Sequence, residues 1–159
     1  MAALMLWPWS KRAVSKPRLV VTATVHYPER PDHSAEIEQW LTSHPEFDKW
    51  FFSSIAGVTH RNNDGSSRQK AIKKCQPFEM LKLTPEPNNQ FDPNAIAVFR
   101  TTGEQLGYLE RRLASETCRR TQKGQHWEAM VFAVTGDASP RGINIVMLRL
   151  KSAPTHKTA

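Results

Sequence analysis

The sequence holds only two cysteines, Cys75 and Cys118, in 159 residues. That excludes a disulfide framework, and a structural zinc site would need more ligands at closer spacing. Six histidines (His26, His33, His44, His60, His126, His156) lie scattered without paired spacing, so no metal centre and no cofactor are expected. No apolar run approaches the length of a membrane span. Met1 to Trp9 is apolar but short, lacks a basic segment and is followed by Lys11-Arg12, which makes it a poor signal peptide. There is no Gly-x-x-x-x-Gly-Lys-Ser/Thr loop for a nucleoside triphosphate. Nor is there an Asp-x-Lys or Glu-x-Lys triplet of the kind one common nuclease arrangement uses. Internal repeats and low-complexity blocks are missing too. A soluble chain with reduced thiols in the cytoplasm is the expectation.

Acidic residues are in deficit, 15 against 22 Lys and Arg, giving a net charge of +7 and a sequence pI near 9.7. A basic balance favours a polyanionic partner, because phosphate contacts release counterions without reading sequence. The bland alternative is a surface charge that only aids solubility. The length suits one domain with a real core rather than two.

Residues 1–16 read as a loose, flexible end carrying Trp7 and Trp9. Leu19 to Val25 is β-branched and reads as a strand. Ser34 can cap a short helix with Ile37, Trp40 and Leu41 on one face, ended by His44-Pro45. Strands are expected at Trp50 to Val58, Phe78 to Thr84, Ala95 to Thr101, Gln105 to Leu109, Trp127 to Thr135 and Ile143 to Leu150. Thr102-Gly103 makes a hairpin of the third and fourth of these. Arg68 to Cys75 is a basic helix, and Glu110 to Thr121 is a second one with Leu113, Ala114, Thr117 and Cys118 inside. Both cysteines fall on apolar helix faces. Strands apolar on both sides, such as Ala95 to Phe99, predict a mainly β (α+β) fold, a small closed barrel with two or three short helices at its ends. The tail, 153–159, is polar and expected to be frayed.

One run stands apart: Asn88-Asn89-Gln90-Phe91-Asp92-Pro93-Asn94, breaking into Ala95-Ile96-Ala97-Val98. Turn residues suffice to end a strand. They do not require a phenylalanine at the tip beside an aspartate held extended by the next proline. An exposed ring beside a fixed acceptor, in a basic protein, suits a base and a hydroxyl.

That run, with Ile55-Ala56-Gly57-Val58, Arg68-Gln69-Lys70-Ala71-Ile72, Leu81 to Pro87 and Gly103-Glu104-Gln105-Leu106-Gly107-Tyr108-Leu109, resembles the HIRAN domain, most strongly over 50–137. The resemblance implies a six-stranded OB-like barrel within a single domain over 17–152. It implies binding of single-stranded DNA at a free 3′-hydroxyl end, without catalysis by the domain, and association with a DNA-repair or helicase-type protein. Carried over by motif position, Phe91 would stack on the terminal base and Asp92 would accept from its hydroxyl, with Asn89 in the same turn. Tyr108 and Arg111 would meet backbone phosphates. At Thr59-His60-Arg61 the end-binding relatives carry an arginine followed by aromatics; here only His60 can stack and Arg61 is displaced. Arg68, Lys70, Lys73 and Lys74 would form an electrostatic rim, with Arg119-Arg120 as a further basic pair. Against these stand blander roles: Asp92 capping its own turn, Tyr108 as a core residue, Arg112–Glu116 as a surface ion pair.

Three functions compete. A nucleic-acid-binding module leads. In a protein-interaction adaptor the barrel would only scaffold and the Trp-bearing amino-terminal segment would recruit a partner; buried Phe91 and His60 with a large apolar patch elsewhere would favour it. A metal-dependent nuclease, or a module serving a separate ATPase or hydrolase, ranks below both.

Overall fold

The structure, a computed structural model, describes residues 34–151. The expected strand at Leu19 to Val25, the Trp7/Trp9 segment and the tail lie outside the described residues. Helix α1 spans Ser34–Thr42, α2 Arg68–Ile72 and α3 Arg111–Gln122. The strands are β1 Phe47–Ala56, β2 Met80–Pro85, β3 Ile96–Arg100, β4 Gln105–Leu109, β5 Trp127–Thr135 and β6 Gly142–Leu150. They close into an antiparallel barrel in the order β1-β4-β3-β2-β5-β6, with β6 returning to β1. This is the small closed barrel that strand apolarity predicts and the six-stranded OB-like barrel that the resemblance implies.

Alternation along the strands explains the closure. In β6, Ile143, Ile145 and Met147 face one apolar cluster while Val146 and Leu148 face another, and all are fully or almost fully buried. A strand buried on both sides needs cover on both sides. The first cluster also takes Ile55, Leu81, Val98, Leu106, Leu109 and Val131, and α2 and α3 plug it with Ala71, Ile72 and Ala114. In the second, Ile37 of α1 packs with Phe47, Met130, Val146 and Leu148. Each fully buried large aliphatic contributes about 1.5–3 kcal/mol relative to exposure.

Three boundaries differ from expectation for identifiable reasons. Strand β1 starts at Phe47 rather than Trp50, because Phe47 pairs with Leu150 and Asp48 grips Arg149 through two hydrogen bonds of 2.7 and 2.6 Å. The polar Asp48-Lys49 pair hid that extension. It ends at Ala56, not Val58, because Gly57 turns the chain with φ +71°. Helix α2 stops at Ile72 rather than Cys75; beyond it Lys74 and Cys75 donate to carbonyls only three residues back, a tighter turn.

At Gly107, β4 passes close against β1. A Cβ there would collide with the Ala56 carbonyl oxygen and lie 2.6 Å from Ile55 Cγ2. Gly107→Ala is expected to destabilise the barrel by about 2 kcal/mol or more, read from the urea midpoint. A loss below about 0.5 kcal/mol would contradict this close approach.

Candidate nucleic-acid interface

The turn after β2 is built by its own side chains. Asn89 Oδ1 accepts from the Phe91 and Asp92 N–H groups at 3.0 and 3.2 Å. Asp92 Oδ1 accepts from Asn94 N at 2.9 Å. Pinned this way, the backbone puts the Phe91 ring into solvent, 80% exposed. Asp92 thus fills the turn-capping role with one oxygen only. Its other, Oδ2, lies 3.3 Å from Arg111 Nε, the carboxylate side chain 16% and the arginine 77% exposed. Behind the turn, the half-buried Cys118 thiol approaches the Asn94 carbonyl at 3.7 Å; burial, and then the Asp92 charge, push its pKa up, so it stays a thiol.

Facing the turn is the loop after β1. His60 N donates to Gly57 O at 3.1 Å, and Arg61 donates to Gly65 O across its own loop at 3.1 Å. Both side chains are exposed. Beneath them lies Arg68. Its Nε donates to Asn62 Oδ1 at 2.6 Å, its Nη1 to Gly57 O at 2.8 Å, and its guanidinium stands 5.2 Å from the centre of the Tyr108 ring. The Tyr108 hydroxyl donates to Glu86 Oε2 at 3.2 Å, and Asn89 Nδ2 donates to the same oxygen at 2.8 Å. A continuous series of contacts therefore joins the loop, Arg68, Tyr108, Glu86 and Asn89 to the turn that carries Phe91.

Between loop and turn runs a cleft of about 1100 Å³. His60, Arg61, Asn89, Phe91, Asp92, Tyr108 and Arg111 all line it, far apart in sequence and brought together by β1, β2, β4 and α3. The rim needs correcting. Arg68 is not an exposed rim charge but a cleft-lining side chain only 6% exposed. Lys70, Lys73 and Lys74 are exposed but do not line the cleft, and Lys74 is paired with Glu104 at 2.8 Å. Likewise Glu116 pairs with Arg119 and Arg120, each at 2.6 Å, rather than with Arg112; those hydrogen bonds hold its carboxyl down to about 2. Helix α3 turns Arg119 and Arg120 toward Glu116 because they sit three and four residues beyond it.

Sequence reasoning does not single out Asn62, which supports Arg68, or Glu86, which lines the cleft. Glu86 was legible as the carboxylate between Pro85 and Pro87 at the mouth of the turn; Asn62, in a polar loop, gave no signal. Among the described residues, no group of three His, Cys, Asp or Glu side chains gathers to hold a metal ion, and no helix is long and apolar enough to cross a membrane.

The HIRAN domain family model matches residues 50–147. The chain belongs to the HIRAN domain family. It is 36% identical over 80 residues to the helicase-like transcription factor of Oryctolagus cuniculus, covering 49% of this chain and 7% of that protein. The Homo sapiens protein of the same name is 35% identical over 79 residues, 48% of this chain and 7% of the relative. The match thus spans under a tenth of these relatives' length. A crystal structure of a protein from Lactobacillus plantarum shares the fold at TM-score 0.51 and 18% identity, covering 65% of this chain and 100% of that one. The crystal structure of the HIRAN domain of human HLTF gives a TM-score of 0.49 at 23% identity, over 65% of this chain and 77% of that one.

In this HIRAN-family barrel Arg68 is a positioning residue, since its planar fork holds Asn62 and Gly57 at once while its face covers Tyr108. A lysine keeps the charge but cannot make that set of contacts. Arg68→Lys is expected to destabilise by about 1–3 kcal/mol, seen as a lower urea midpoint at unchanged slope. An unchanged midpoint would remove Arg68 from this role.

Proposed function

We propose that this HIRAN-family chain binds single-stranded DNA in the cleft, takes the free 3′-hydroxyl end at Phe91 and Asp92, and performs no chemistry of its own. The observation that carries the reading is Phe91, a large apolar ring left 80% exposed at the mouth of a cleft lined by arginines. An aromatic in that setting stacks on a base for about 1–3 kcal/mol, whatever the base. Asp92 is an acceptor-only group suited to a hydroxyl donor and repelled by a phosphorylated end. Arg111, mostly exposed and paired with Asp92, can exchange that contact for a phosphate. Arg61 and Arg68 supply the remaining positive charge.

The exposure of Phe91 and His60 supports this reading over that of a protein adaptor, which would gain from their burial. The name of the curated relatives, helicase-like transcription factor, supports a setting beside a helicase-type protein. The free thiols of Cys75 and Cys118 fit a reducing cytoplasm.

Fluorescence anisotropy with short single strands tests the proposal. Strands ending in a 3′-hydroxyl should bind at low salt, and the same strands with a 3′-phosphate should bind more weakly. Phe91→Ala should cost about 1–3 kcal/mol of binding for either end. Asp92→Asn should bring the two ends together. Absence of binding at low salt contradicts the proposal; equal binding of both ends by the unaltered protein reduces it to general single-strand binding.

A further inference from the structure

Glu86 is an unexpected group in a cleft meant for a polyanion. Its Oε2 is occupied by Tyr108 and Asn89. Its Oε1 has no hydrogen-bond or ion-pair partner among the described residues, although the side chain is half-buried and lines the cleft. Asp92 differs, with one oxygen on Asn94 N and the other near Arg111. A carboxylate oxygen only accepts, and it repels phosphate. Whatever part of a strand faces Oε1 must bring a donor.

The position of Glu86 narrows that donor. Asn89 holds Glu86 with its Nδ2 and the Phe91 N–H with its Oδ1. The carboxylate is therefore one amide side chain away from the backbone that carries the stacking ring. A base stacked on Phe91 carries its hydrogen-bonding groups on its edge, where a carboxylate lining the same cleft can meet them. Cytosine, adenine and guanine carry an exocyclic amino group on that edge. Thymine and uracil carry a single N–H flanked by two carbonyl oxygens, which a carboxylate repels.

We propose that Glu86 reads the base stacked on Phe91, favouring amino-bearing bases over thymine. This rests on the end-binding reading above and adds base preference to it. The orientation of a replacement is fixed by the neighbours. Tyr108 OH and Asn89 Nδ2 are both donors, so in Glu86→Gln the amide oxygen must face them and the amide N–H₂ must face the cleft. An acceptor becomes a donor with the shape kept.

The experiment measures anisotropy for four oligonucleotides identical except for a 3′-terminal dC, dA, dG or dT, with the unaltered chain and with E86Q. The unaltered chain should bind the dC, dA and dG ends about fivefold or more tighter than the dT end. E86Q should abolish or reverse that order, whereas loss of a purely structural contact would weaken all four alike. Equal binding of the four ends by the unaltered chain overturns the proposal and leaves end binding intact. So does a dT preference, or an order unchanged in E86Q. Failure of every oligonucleotide to bind overturns both readings. Should E86Q not fold, the series with the unaltered chain decides by itself.

Discussion

One buried cation ties the loop after β1, the start of α2 and the end of β4 into the floor of the cleft. Arg68 brings a guanidinium to a place only 6% exposed and directs its hydrogen bonds to neutral oxygens, Asn62 Oδ1 and Gly57 O. Its flat face covers Tyr108. A charge taken out of water this far is tolerated when its N–H groups are satisfied and an aromatic face lies against it. In return it fixes three separate pieces of chain, the loop after β1, the start of α2 and the end of β4. From Tyr108 the fixation passes through Glu86 to Asn89, and Asn89 holds up the turn that displays Phe91.

That arrangement divides the charges into two kinds. Lys70 and Lys73 lie exposed outside the cleft, where salt screens them and rotamer freedom dilutes them. Arg68, held by its hydrogen bonds and 6% exposed, adds a fixed positive charge to the cleft lining. Arg111 and Arg61 stand between, anchored by Asp92 and Gly65 O but exposed enough to be drawn away. A site of this design holds its shape before any ligand arrives, so less ordering is required on binding.

Much of this was readable in the sequence, for local reasons. Asn-Asn-Gln-Phe-Asp-Pro-Asn is a turn whose side chains cap its own backbone, and such chemistry needs no distant partner. Strand apolarity on both faces announced closure, and the Thr102-Gly103 hairpin followed from two adjacent residues. The rest was hidden because it is non-local. Spacing along α2 groups Arg68 with Lys70, Lys73 and Lys74, and only the fold reveals that Gly57 and Asn62 claim it. Glu116 could bond forward or backward along α3, and the helix offered better geometry to Arg119 and Arg120 than to Arg112. The early start of β1 came from Arg149, a hundred residues away.

The central claim is that a single strand enters the cleft between the loop after β1 and the turn after β2. Titrating the isotope-labelled protein with a short single strand, followed by amide chemical-shift mapping, tests it most directly. Saturable shifts should concentrate on Gly57, His60, Arg61, Asn89, Phe91, Asp92, Tyr108 and Arg111. Shifts centred instead on Lys70, Lys73 and the outer face of α2, with the cleft unmoved, would contradict it.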